Sequence, residues 1–213
     1  QTGSGKSVLL NSMLLSIMMM YTPEEVEMIL VDPKFIELTA FSESPYTKVI
    51  ATEAEQALSL LEGLVEEMNL RYKVFMETKS KNISSFNSKV DNARRMKRIL
   101  MVFDEYAALM EENKEIAKRL ESSIKILSQK ARAAGIHLII CTQSPRADII
   151  TTTIRNNLTA RVGLRVADSV ASGLILDTTG AETLLGKGDM LLKTAASSEL
   201  LRAKSPYVTE EEI

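Results

Sequence analysis

At 213 residues, with 45% hydrophobic and 25% charged side chains, the chain has the make-up of a globular α/β domain and length enough for a sizeable core. A formal net charge of −2 excludes a uniformly basic nucleic-acid binder, so any basic surface must be local. The longest apolar stretch, residues 8–20, is broken by Asn11, Ser12 and Ser16 and is too short to span a bilayer, and one cysteine excludes an internal disulfide.

The chain opens inside a phosphate-binding loop, Gln1-Thr2-Gly3-Ser4-Gly5-Lys6-Ser7. The pattern G-x-x-x-x-G-K-[ST] needs its first Gly one position before Gln1, and neither an initiator methionine nor a strand precedes the loop, so the sequence reads as an excerpt of a longer protein. Such loops hold triphosphates with backbone N–H groups, a helix N-terminus and one lysine. Lys6 would reach the β/γ-phosphates and the Ser7 hydroxyl would bind Mg²⁺. Thr2, Gly3, Ser4, Gly5, Lys6, Ser7 and Val8 are therefore the candidate ATP-binding residues.

Residues 8–20 read as the helix after this loop, and Thr22-Pro23-Glu24-Glu25 as a capped turn with Pro suited to a first helical position. Residues 26–31 predict a strand ending at Asp32-Pro33-Lys34. Residues 52–78 form a long amphipathic pattern, with Ala57, Leu60, Leu61, Leu64, Val65, Met68 and Tyr72 on one side. Residues 79–98 are polar and basic, as a solvated face would be. Residues 99–103 are continuously apolar, as in a buried parallel strand. Residues 113–134 read as a helix with Ile116, Leu120, Ile124 and Leu127 inward, stopped by Gly135. Further strands are expected at 136–141, 160–166 and 189–192. This alternation predicts one domain over residues 1–213, built on a mostly parallel sheet with helices on both faces. Cys141 and the lone His137 sit in apolar runs and are expected in the core, and an unpaired cysteine fits a reducing compartment.

Asp104-Glu105 directly follows the 99–103 strand, at the carboxyl end where ligands lie in parallel sheets. A carboxylate there can hold Mg²⁺ with Ser7, which makes Asp104 the metal-side residue, and Glu105 is placed to orient or deprotonate an attacking water. Together with the phosphate loop, the pair indicates hydrolysis of a nucleoside triphosphate. Thr142-Gln143 ends the next strand. Gln143 either contacts the γ-phosphate or the attacking water, or satisfies loop backbone.

Several further segments look like one family. Val31-Asp32-Pro33-Lys34 with Glu37-Leu38, Arg71-Tyr72-Lys73 with Asn82 and Asn87, Gln129 through Leu138, and Gly180 through Leu191 resemble signatures of FtsK/SpoIIIE translocases. The resemblance runs from Gln1 to about Leu192. It implies a RecA-like P-loop ATPase core and a homo-oligomeric, hexameric ring that threads double-stranded DNA, with ATP between subunits. It further implies a cytoplasmic motor, any membrane anchor lying in a remainder of the protein outside this sequence. Arg132 resembles the family's finger, the arginine lent to a neighbour's γ-phosphate, and Arg161 is the second candidate. Where the family commonly reads Thr-Gln-Arg-Pro, this chain has Thr142-Gln143-Ser144-Pro145-Arg146. Arg146 is expected to supply the displaced charge, and Arg155 falls where translocases place a basic pore residue. The stretch 167–177 has no basic residue, which favours a second reading, a related ATPase of a protein-secretion system.

Overall fold

The computed structural model of the chain describes residues 3–195 and 197–213. They form two compact units, one of the described residues up to 19 with those from 141 onward, the other of residues 20–140. The first unit begins with α1 (Lys6–Met20), which buries Leu10, Ser12 and Leu14. The turn at 22–25 closes without becoming a helix: the Thr22 carbonyl accepts from the Glu25 and Val26 N–H groups, and the Glu25 carboxylate accepts from the Thr22 N–H at 2.9 Å.

The second unit holds β1 (Val26–Val31), β2 (Thr47–Ala51), α2 (Ala54–Glu77), α3 (Ile83–Asn87), β3 (Arg98–Phe103), α4 (Tyr106–Glu112), α5 (Lys114–Lys130) and β4 (Ile136–Ile140). All its strands are parallel, in the order β2-β1-β3-β4. The strand β3 is buried from Ile99 onward, as its unbroken apolar run requires when both faces are covered. Helices α2, α4 and α5 flank the sheet and pack on one another. Helix α5 buries Ile116, Leu120, Ile124 and Leu127, the face its periodicity predicts, and Asn113 caps it by accepting from the Glu115 and Ile116 N–H groups.

The basic stretch 79–98 has more structure than a solvated face. Asn82 and Ser85 form a capping box that starts α3, and the Asn87 amide exchanges two hydrogen bonds with the Met96 backbone at 2.8 and 2.9 Å. Arg71, only 5% exposed, donates to the carbonyls of Lys97 and Ala134, both at 2.8 Å, and from Nε to Glu67. It thereby ties the entry of β3 to the turn that leads into β4.

Back in the first unit, α6 (Thr152–Asn157), β5 (Arg161–Leu164), α7 (Ser169–Leu176), β6 (Asp189–Thr194) and β7 (Ser197–Lys204) complete the chain. The strands expected at 160–166 and 189–192 exist, but they pair antiparallel in a separate sheet, β5-β6-β7, while the parallel arrangement belongs to β1–β4. Gly163 lets α7 press onto this sheet, because a Cβ there would stand 2.7 Å from Leu176 Cδ1. Val166, Leu176, Ala181 and Leu184 form the local core. Among the described residues no helix is long and apolar enough to cross a membrane.

Candidate nucleotide-binding site

The phosphate loop lies in the first unit; Thr2 is outside the described residues. Gly3 and Gly5 take φ of +82° and +98°, the left-handed region in which a side chain is strained. Ser4 is buried, and the Gly5 carbonyl accepts from Leu9 N at 2.9 Å, closing the first turn of α1 with Lys6, Ser7 and Val8 half-buried within it. No acidic residue stands in that first turn, so the helix N-terminus keeps its positive end for an anion.

A clasp from the far end of the sequence holds this loop. Gly186, Lys187 and Gly188 are consecutively left-handed, at φ of 81°, 51° and 84°. Gly188 N donates to the Ser4 carbonyl at 2.9 Å and Lys187 N to the Gly3 carbonyl at 3.4 Å. The clasp is itself anchored: Asp189 accepts from Arg202 Nε and Nη2 at 3.0 and 2.7 Å and from Leu185 N at 2.9 Å, which hold its carboxyl at about 2. A Cβ on Gly5 would stand 2.4 Å from Gly188 N, a backbone atom that cannot swing aside. Gly5→Ala is expected to destabilise the protein by about 1–3 kcal/mol, read as a lower denaturation midpoint. An unchanged midpoint would mean that the clasp is loose in solution.

The carboxylate pair lies in the second unit. Asp104, 1% exposed, follows β3, and its N–H donates to the Val31 carbonyl at 2.9 Å. Glu105, 7% exposed, stands at φ −135°, ψ 87° between β3 and α4 and makes no side-chain cap on that helix. The neighbouring Asp32, fully buried at the end of β1, is committed elsewhere: its carboxylate accepts from the N–H groups of Lys34, Ile36 and Leu38 at 3.2, 2.9 and 3.0 Å. Behind the pair the buried Tyr106 hydroxyl is pushed well above the usual phenol range, by burial first and the Glu121 charge second.

The phosphate loop fits a triphosphate: Gly3 leaves open space where a Cβ would stand and the loop opens an α-helix. Ser7 in its unit and Asp104 in the other each carry a hard oxygen donor of the kind Mg²⁺ takes.

The remaining candidates are dispersed. Gln143 is half-buried in the loop after β4, where the Thr142 hydroxyl accepts from Ser144 N at 3.1 Å. Arg146 is exposed and pairs with Asp148 at 3.2 Å. Arg155, on α6, faces Asp177 at 3.6 Å with its Nε buried. Arg161 is spent inside its own unit, donating to the carbonyls of Leu158, Ile175 and Arg155 and to Asp177. Arg132 is exposed in the turn 131–135. His137 is a correction: it is exposed, not in the core, because β4 is the last strand of its sheet and its second residue faces outward. Cys141 is half-buried, one residue beyond β4.

The FtsK/SpoIIIE family model matches residues 1–147. A DNA translocase FtsK of Leptospira interrogans (strain Fiocruz L1-130) is 42% identical over 219 residues, covering all of this chain and 23% of that protein. That of Clostridium tetani is 40% identical over 216 residues, again across the whole chain and 29% of the relative. The chain thus spans less than a third of the length of these curated relatives. Among solved structures, the pCW3 conjugation coupling protein TcpA, in its monomer form with ATPγS, superposes with a TM-score of 0.87 at 32% identity over the whole chain and 60% of that protein. The cytoplasmic domain of the Thermomonospora curvata type VII secretion ATPase EccC, at 24% identity and a TM-score of 0.77, covers 97% of this chain and 24% of its own and shares the fold. With a matched phosphate loop, a parallel sheet carrying Asp104-Glu105 and similarity to these relatives along the whole of this chain, the chain belongs to the FtsK/SpoIIIE family and forms a RecA-like ATPase domain.

Proposed function

We propose that residues 1–213 work as one motor domain that hydrolyses ATP to move double-stranded DNA, independently of its sequence, through a homo-oligomeric ring of six copies. The observation that carries this reading is the 40–42% identity to DNA translocases along the whole chain, including residues 148–213 beyond the family match. Backbone N–H groups of the phosphate loop and Lys6 bind the phosphates, Ser7 and Asp104 hold Mg²⁺, and Glu105 takes the proton of the attacking water. Held by these residues, Mg²⁺ would supply charge neutralisation at the triphosphate. Gln143 orients the water from the loop after β4. Arg146 and Arg155 face the DNA, contacting phosphates and not base edges, so movement is independent of sequence.

The second reading is a motor for a protein cargo. It is favoured by α7, which carries no basic residue and exposes Val170 to 72%. ATP hydrolysis with and without linear double-stranded DNA, over a salt series, separates the two. The DNA motor is expected to be stimulated strongly, with stimulation falling steeply as salt rises, because each phosphate contact releases counterions. Turnover indifferent to DNA at low salt would remove the DNA reading and leave the protein cargo.

A further inference from the structure

The clasp meets the phosphate loop on one side only, the side of its carbonyls. A trans peptide points its C=O and its N–H in opposite directions. The Gly3 carbonyl shares a peptide with the Ser4 N–H, and the Ser4 carbonyl shares one with the Gly5 N–H. Because Lys187 N and Gly188 N hold these two carbonyls, at 3.4 and 2.9 Å, the Ser4 and Gly5 N–H groups are turned away from the clasp. That opposite side is where a loop of this kind receives its anion. Both peptides adjoin a left-handed glycine, Gly3 or Gly5, and glycine passes readily between backbone conformations. A flipped peptide would aim a carbonyl oxygen at the phosphate instead of an N–H. The freedom that shapes the loop therefore also lets it misfire, and the clasp removes it.

The clasp in turn needs an anchor. Lys187, between two glycines, carries a side chain at φ +51°, a strained conformation for a lysine. Asp189 closes the turn behind it: its N–H donates to the Gly186 carbonyl at 3.1 Å, and its carboxylate accepts from Leu185 N at 2.9 Å. The same carboxylate receives the fork of Arg202, reaching across from β7. From β7's end, Ser205 N donates to the Gly188 carbonyl at 2.9 Å, and the two residues pack so closely that a Cβ on Gly188 would stand 3.0 Å from Ser205 Cβ. All these groups belong to one unit, so the chain of contacts from Arg202 to the loop is continuous.

We infer that Asp189 and Arg202 are positioning residues for nucleotide binding, holding the clasp shut so that the Ser4 and Gly5 N–H groups stand ready for the phosphates. The inference rests on the phosphate-loop reading given above and extends it to two residues near the other end of the sequence. With the clasp open, nucleotide must first select the loop conformers whose donors face inward, so its apparent affinity falls by the fraction of molecules that are closed.

Calorimetric titration of the full chain with ADP and Mg²⁺ reads occupancy of the loop without hydrolysis. Asp189→Asn keeps an oxygen for the Leu185 N–H but loses the charged pair, and the apparent Kd is expected to rise about tenfold. Arg202, its side chain 59% exposed, tests the same pair from the solvent side, where substitution leaves the core intact. Arg202→Gln is expected to match Asp189→Asn, and Arg202→Lys to recover part of the loss, having the charge without the fork. Hydrogen exchange at the Lys187 and Gly188 N–H groups is the second readout. It should quicken in both Asp189→Asn and Arg202→Gln and, by linkage, slow again when ADP saturates the loop. Unchanged ADP affinity in both variants would overturn the inference. So would a loss of protection that ADP does not reverse, which would reduce the pair to a brace for the fold. Lys6→Ala separates the two levels. If it fails to bind ADP while the Asp189 and Arg202 variants bind normally, the clasp alone falls; if it binds as tightly as wild type, the phosphate-loop reading falls and takes the clasp with it.

Discussion

Glu105→Gln is expected to leave ATP bound and to slow its hydrolysis by about 10²–10⁴-fold, the usual worth of a positioned general base. The residue is 7% exposed and sits where β3 turns into α4, in a backbone conformation that belongs to neither element. Its side chain does not cap the helix that follows, so removing its charge does not unravel α4. Glutamine keeps the size and one acceptor oxygen but cannot take a proton from water. The neighbouring carboxylates are poorer candidates for that task. Asp32 already accepts three backbone N–H bonds, and Asp104, at 1% exposure, is the residue proposed above to hold Mg²⁺. Equilibrium binding of a fluorescent ATP analogue together with single-turnover hydrolysis checks the prediction. Wild-type turnover would end the proposed role, and loss of binding in step with turnover would make Glu105 a structural residue.

Much of this arrangement is legible in the sequence, for physical reasons that differ by element. The run of β3 is apolar without interruption from Ile99, as a parallel strand covered on both faces must be, and those of β1 and β4 are broken only by Glu27 and His137, so all three strands could be read directly. The carboxylates at the end of β3 and the glycines of the phosphate loop follow from local spacing alone. Strand β2 escapes because it is five residues long with only Ala51 buried, and β7 because Ser197–Lys204 is largely polar. Pairing direction is not a local property: Val162 and Met190 look like parallel-strand residues until their partners are known. The clasp on the phosphate loop is the same kind of case. Gly186-Lys187-Gly188 is visible as a family-like segment, yet its job depends on Ser4, more than 180 positions earlier in the chain. Asn82 three residues before Ser85 is a capping-box spacing, a local signal of structure inside the polar, basic stretch 79–98. Arg71, Tyr72, Asn82 and Asn87, likewise part of the family-like segments, build the frame around Arg132. Burial of Arg71 could not be inferred from its place on an amphipathic helix, where an arginine is ordinarily solvated.

Arg132→Ala is expected to cost the assembled ring about 10³–10⁵-fold in turnover, the range an arginine finger supplies to phosphoryl transfer. The argument is one of position. Asp104 and Glu105 stand at the carboxyl end of β3, whereas Arg132 precedes the amino end of β4, the parallel neighbour of β3. A six-residue strand separates those ends, roughly 20 Å at the rise of an extended chain, about three times the reach of an arginine side chain by the same scale. Arg132 therefore stands too far away to serve the carboxylate pair of its own copy, and in the proposed ring it acts on a γ-phosphate presented by another. The turn that carries it is held by Arg71 and Ile83, so the guanidinium is offered from a rigid base, which favours a positioned contact over a flexible one. Arg161 lacks this freedom, with its donors spent on three carbonyls and Asp177. Mixing provides the decisive measurement. Copies with Arg132→Ala keep a competent phosphate loop, and copies with Lys6→Ala keep a competent finger, so each preparation alone is expected to be inactive while mixed rings recover part of the wild-type rate. Recovery should peak near equal proportions and vanish on dilution below the assembly concentration. Mixtures no more active than their parents would refute action across subunits, and an Arg132→Ala protein with the wild-type rate would refute the finger itself.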